Sequence, residues 1–138
     1  MITQKQLDAI QNLYNEKYFR KKGIELIMRG HFIDRVHDDR NNPAINADEV
    51  NLFINRMIRK YGIQFDTMGL EQNVIVSSKS MNLHMPFIFK EERKKKVIVP
   101  FTIQRKKVWG NDNAKYKNDI RWAIENRLSF AQYMDSIT

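Results

Sequence analysis

The sequence predicts an α+β fold: N-terminal helices packed on one face of a small twisted antiparallel sheet, plus a C-terminal helix. Apolar residues recur at helical spacing through residues 3–22 and 46–62, whereas between 74 and 106 they come in short runs rich in Val, Ile and Phe. Helices followed by strands suit an α+β layer arrangement rather than a doubly wound one. At 138 residues the chain has the length of one domain, 1–138, with a C-terminal helical segment over 113–138.

Thr3 caps a helix running to about Lys22, with Leu7, Ile10, Leu13, Tyr14 and Phe19 along one side and Gly23 as its stop. The run Ile24-Glu25-Leu26-Ile27-Met28 is too short to type: a strand and the approach to a second helix both fit. From His31 to Asp39 a helix places Phe32, Ile33 and Val36 on one face and His31, Asp34, Arg35 and Asp38 on the other. Arg40-Asn41-Asn42-Pro43 then forms a loop. Asn46 and Glu49 have the spacing of a capping box, and Val50, Phe53, Ile54, Met57, Ile58 and Tyr61 follow as a stripe ended by Gly62.

After a linker containing Gly69, strands are expected at Val74-Ile75-Val76, Leu83 to Lys90 and Lys96 to Lys106. Alternation in the last two makes their apolar faces coincide when paired positions sum to an even number. A sum of 186 leaves Glu91 to Lys95 as the loop and sets His84 opposite Thr102, with Gln104 and Lys106 on the same polar face away from the helices. A final helix is expected through Tyr116, Ile120, Ala123, Ile124 and Leu128, with Trp122 on its opposite side.

Lys and Arg number 24 against 16 Asp and Glu, a net charge of +8 that favours polyanionic partners, nucleic acid first. Eight basic residues fall between Lys90 and Lys107 against Glu91 and Glu92, a surplus of six of the chain's eight charges. Lys94, Lys95 and Lys96, with Lys106 and Lys107, are therefore candidate phosphate-binding residues; a solvated turn guarding a sheet edge is the alternative. The absence of Cys excludes disulfides, thiolate chemistry and Cys-ligated zinc. No run approaches the ~18 apolar residues of a membrane span, and the N-terminus lacks an apolar signal core, so no membrane association and no cleaved signal are expected.

His31 has three readings: an ordinary histidine on a solvated helix face, a metal ligand with Asp34, His37 or Asp38, and a general acid or base beside Arg35. The spacing of His31 and His37 is not that of a helical zinc pair, and no metal or other cofactor is expected. Gly-rich nucleotide loops and a Gly-x-Ser-x-Gly elbow are missing, and Ser77-Ser78-Lys79-Ser80 reads as a turn between strands before it reads as a nucleophile with a lysine.

The block His31-Phe32-Ile33-Asp34-Arg35-Val36, then Arg40-Asn41 and the helix from Ile45 to Gly62, then Asn82-Leu83-His84-Met85-Pro86-Phe87, then Thr102-Ile103-Gln104-Arg105-Lys106-Lys107, resembles small phage-borne proteins of the barnase, EndoU, colicin and RelE superfamily. The resemblance covers residues 31–107. It implies helices on one face of an antiparallel sheet and a metal-independent ribonuclease site, with His31 and Arg35 matching its helix element and Thr102, Arg105 and Lys106 its last strand. On that basis His31 would act as acid or base and Arg35 and Arg105 would stabilise charge, while Thr102 would bond phosphate and Lys106 bind the backbone. The expected function is thus a nucleic-acid-binding, RNA-cleaving phage effector, with RNA the favoured partner, in the bacterial host cytoplasm or the virion. The rivals are a non-enzymatic virion structural or accessory protein and a basic inhibitor of an acidic host enzyme. In the first rival, Trp122 and Tyr133 of the C-terminal segment would dock onto phage or host proteins.

Overall fold

Thr3 starts the first helix as its side chain predicts: its Oγ1 accepts from the Gln6 amide at 3.2 Å, while Gln6 Oε1 accepts from the Thr3 amide at 2.9 Å. In the computed structural model, which describes residues 1–105 and 120–125, α1 spans Gln4–Tyr14 and continues through a π-helical turn, Asn15–Phe19, and a 3₁₀ turn, Arg20–Lys22. Gly23 ends it with φ 72°, a left-handed conformation that costs glycine nothing. The run that sequence alone leaves open is a strand, β1 (Ile24–Leu26). Then come α2 (Phe32–Val36), α3 (Ala47–Tyr61) and α4 (Gln64–Thr67), with the Asn46–Glu49 capping box present at the start of α3. Gly62, between α3 and α4, is needed for close approach, since a Cβ there would collide with the Tyr18 hydroxyl.

The remaining strands are β2 (Asn73–Ser78), β3 (Leu83–Glu92), β4 (Lys95–Pro100), β5 (Gln104–Arg105) and β6 (Ile120–Ala123). The six strands form a sheet in the order β1-β4-β3-β2-β6, with β5 also on β3. The α+β class stands, but the sheet is mixed rather than antiparallel: β1 runs parallel to β4 and β6 parallel to β2. The expected C-terminal helix is not found where the chain is described, because Ile120–Ala123 pairs with Val74–Ser77. Residues 113–119 and 126–138 lie outside the described residues.

The β3–β4 register also differs from expectation. Glu92 pairs with Lys95 and Phe87 with Pro100, an odd sum of 187, around a two-residue turn at Arg93 and Lys94. Ile98 therefore joins Phe87 and Phe89 on the helical face, whereas Val97 and Val99 sit beside Ile88 and Lys90 on the other. One extra residue in the irregular stretch Phe101–Ile103 then shifts the pairing, so that His84 faces Gln104 and not Thr102.

The core lies between sheet and helices. Phe65 of α4 is its centre, with ring centroids 5.3 Å from Phe19, 6.1 Å from Phe89 and 5.5 Å from Trp122. The edge strand β1 is closed by side chains of the first helical segment: buried Asn15 donates to the Leu26 carbonyl at 2.9 Å and accepts from its amide at 2.7 Å, while Gln11 Oε1 accepts from the Met28 amide at 2.7 Å. Asn15 thus supplies the pairing that a further strand would give. No helix among the described residues is long and apolar enough to cross a membrane.

Candidate functional site

His31 precedes α2 on the surface, its side chain 81% exposed and its Nδ1 3.3 Å from Asp34 Oδ2. Arg35, one helical turn on, donates from Nη1 to the Phe101 carbonyl at 3.2 Å, which brings α2 against the irregular stretch after β4. The other two expected catalytic residues are turned into the fold. Thr102 is 5% exposed and its hydroxyl donates to the Ile103 carbonyl at 3.3 Å.

Arg105 is a tie within the fold, its side chain only 10% exposed. Its guanidinium donates to the Pro43 carbonyl at 2.8 Å, the Met81 carbonyl at 3.1 Å and Glu49 Oε2 at 2.6 Å. Its amide is held by Asn41 Oδ1 at 2.8 Å, and Asn41 Nδ2 reaches the carbonyls of Val36 at 2.9 Å and Ile103 at 3.2 Å. Loop, helix start and strand are fastened together by these bonds, which engage all three guanidinium nitrogens within the chain. His84, the one histidine placed near Thr102 by the expected register, instead has its Nδ1 2.8 Å from the Ser77 hydroxyl.

The cations near the hairpin separate into two kinds. Lys96 points into the helical layer, donating to the Phe65 and Met68 carbonyls at 2.7 and 2.5 Å, with its ammonium 5.0 Å from the Phe89 ring centre. Burial pushes its pKa down, and Asp66 acts weakly the other way. This lysine caps the last carbonyls of α4 rather than serving a nucleic-acid surface. Lys95 lies 3.7 Å from Glu25, and Arg29 pairs with Glu92. Lys90, Arg93 and Lys94 remain exposed, and none of the ion pairs among the described residues involves them. Lys106 and Lys107 lie outside the described residues.

Trp122 is no surface anchor. It is 5% exposed and stacks on Tyr61 with ring centroids 4.5 Å apart and planes 4° from parallel. The Tyr61 hydroxyl accepts from the Ala123 amide at 2.9 Å and donates to the Ala123 carbonyl at 3.1 Å, so α3 both packs on β6 and satisfies its outer edge. The helical reading failed because four residues, Ile120 to Ala123, are too few to carry a period. Tyr133 lies outside the described residues.

An anion cradle that sequence did not reveal is built by the turn between β2 and β3. The Glu125 carboxylate accepts from the Ser78 hydroxyl at 2.5 Å, the Ser80 hydroxyl at 2.6 Å, the Lys79 amide at 2.8 Å and the Ser80 amide at 3.3 Å. Burial alone would raise this carboxyl, but the two hydroxyls and then the two amides outweigh it and hold the pKa at about 2. Beside the cradle Arg56, Arg59, Lys60, Ser80, Ile124 and Glu125 line an open groove of about 470 Å³. Arg56, Arg59 and Lys60 are three and four apart on one face of α3, a spacing visible in the sequence, whereas Glu125 is 47 residues from Ser78 and no motif links them. Among the described residues no group of three His, Asp or Glu is placed to hold a metal ion. Compared with known proteins, the chain matches no family model, no curated protein and no solved structure.

Proposed function

We propose that the chain binds nucleic acid, gripping the phosphate backbone with the tip of the β3–β4 hairpin. The observation that carries this reading is the backbone of that tip: Arg93 and Lys94 have φ of 53° and 64°. Two-residue turns with positive φ at both positions favour Asn-Gly, because the left-handed region costs other L-residues about 1–2 kcal/mol each. Two long cations stand there instead, and strain retained at an exposed tip points to function rather than to folding. Lys90, exposed on the same hairpin, adds a third charge. RNA is favoured over DNA by the resemblance in residues 31–107 alone. Cleavage is not part of the reading, since the Thr102 hydroxyl and the Arg105 guanidinium are engaged within the chain.

Titration of labelled single-stranded RNA and DNA in rising salt tests the reading. Three neutralised phosphates on a single strand give a log-log slope of about −2, and Arg93→Ala with Lys94→Ala weakens binding to all sequences alike. A flat salt response, or undiminished affinity in the double variant, would refute it.

A further inference from the structure

We infer that the β2–β3 turn and the end of α3 form a second site, a receptor for a phosphate group whose place is held in this structure by the chain's own Glu125. It goes beyond the hairpin reading and does not rest on it: the turn at Lys79–Asn82 and the tip at Arg93–Lys94 lie at opposite ends of β3, on the order of 30 Å apart.

Three observations support the site. First, the cradle already holds an oxyanion: two hydroxyls and two amides converge on one carboxylate, a donor set suited equally to phosphate oxygens. Second, the charge exceeds what the occupant needs. Arg56, Arg59 and Lys60 line the groove against the single charge of Glu125, a surplus of two that matches a phosphate dianion better than a carboxylate. None of the three cations is directed at Glu125: Arg56 Nη1 donates to Ser80 Oγ at 3.4 Å, Lys60 donates to the Ala123 carbonyl at 2.6 Å, and no ion pair among the described residues joins Arg59 to a carboxylate. Third, the groove has room, about 470 Å³, directly beside the cradle rather than behind it. Glu125 lies two residues past the end of β6, beyond Ile124, whose amide donates to the Ser77 carbonyl at 2.9 Å, so the Glu125 side chain can swing out while Trp122, Ala123 and Ile124 keep the strand in place.

A tethered carboxylate competes with a free anion by keeping the cradle closed most of the time, and apparent affinity falls in proportion to the open fraction. Inorganic phosphate, titrated by calorimetry into the full chain, is the probe. Glu125→Ala is expected to bind it at least tenfold more tightly than the wild type, and adding Arg56→Ala or Ser80→Ala should reverse the gain. Equal affinity in Glu125→Ala and wild type, or a gain indifferent to Arg56 and Ser80, would overturn the proposal. Should Glu125→Ala fail to fold, Glu125→Gln keeps the side-chain volume and is held to the same criterion. If neither folds, the amide resonances of Lys79 and Ser80 in the wild type decide: movement in tens of millimolar phosphate, but not in chloride of equal ionic strength, supports the site, and silence overturns it. A ribonucleoside 5′-monophosphate run in parallel identifies the source of the group. Tighter binding than inorganic phosphate assigns the site to a nucleotide, and equal binding assigns it to free phosphate. Because no hairpin residue enters these measurements, failure here leaves the hairpin reading untouched, and the converse holds.

Discussion

Arg105→Ala separates a structural arginine from a catalytic one. The guanidinium makes two bonds to carbonyls, at 2.8 and 3.1 Å, and one at 2.6 Å to Glu49, whose side chain is itself 25% exposed. All three have the guanidinium cation as donor, and bonds to a charged group contribute about 1.5–3 kcal/mol each, so their removal costs about 4–9 kcal/mol before the released partners are rehydrated. Water reaching the partly exposed Glu49 offsets part of that, and about 3 kcal/mol is the expected loss. With a urea m-value of about 1.5–2 kcal/mol/M for a chain of this size, the unfolding midpoint should fall by about 1.5–2 M with m unchanged. Arg105→Lys, one ammonium in place of a three-armed fork, should recover only a fraction. The assay is urea unfolding followed by far-ultraviolet circular dichroism, with RNA binding measured on the folded protein. A midpoint within about 0.3 M of wild type accompanied by weakened RNA binding would refute the structural assignment and return Arg105 to a ligand site.

Asn15→Ala removes both bonds that stand in for a strand beside Leu26, so unfolding should become easier by about 2–4 kcal/mol in the same denaturation; a loss under about 0.5 kcal/mol would show that water replaces the side chain. Trp122→Ala should cost about 3–5 kcal/mol by opening a cavity beside Tyr61, Phe65 and Phe87, and a thermal midpoint that hardly moves would restore the surface-anchor reading. Glu125 predicts a pH dependence. Its folded pKa, about 2, lies below the ordinary carboxylate value, so its contribution is complete above that ordinary value and is lost as pH falls toward about 2. Glu125→Gln should flatten stability across that acid range, and an unaltered acid profile would show that the carboxylate is not held as described.

What was legible in the sequence is what is local. Thr3 with Gln6 and Asn46 with Glu49 announce helix starts within four residues, and the stripe from Val50 to Tyr61 fixes which face of α3 is buried. Register was not legible, because Val97-Ile98-Val99 is apolar throughout and carries no parity, and Arg93-Lys94 lacks the residues by which such a turn is recognised. Both outer strands were missed or left open for a related reason: three and four residues carry no period, and the parallel partners of β1 and β6 are supplied by distant segments. The candidate site suffered most. Arg105 and Thr102 look like surface chemistry as residue types, and only the bulge that turns them inward, with Asn41 and Glu49 to meet Arg105, shows otherwise. The cradle at Ser78 to Ser80 needed Glu125 from 45–47 residues away, beyond any motif.

The central claim is that the hairpin tip keeps two cations at the expense of its own backbone, and replacing them with the residues the turn prefers tests it most directly. In Arg93→Asn with Lys94→Gly, stability and affinity should move in opposite directions. Unfolding should become harder by about 1 kcal/mol as left-handed strain is relieved. Single-stranded RNA should bind more weakly, with a log-log salt slope shallower by about 1.4 because two phosphates are no longer neutralised. A variant that gains stability while its affinity and salt slope stay at wild-type values would contradict the account and leave the hairpin a turn without a ligand.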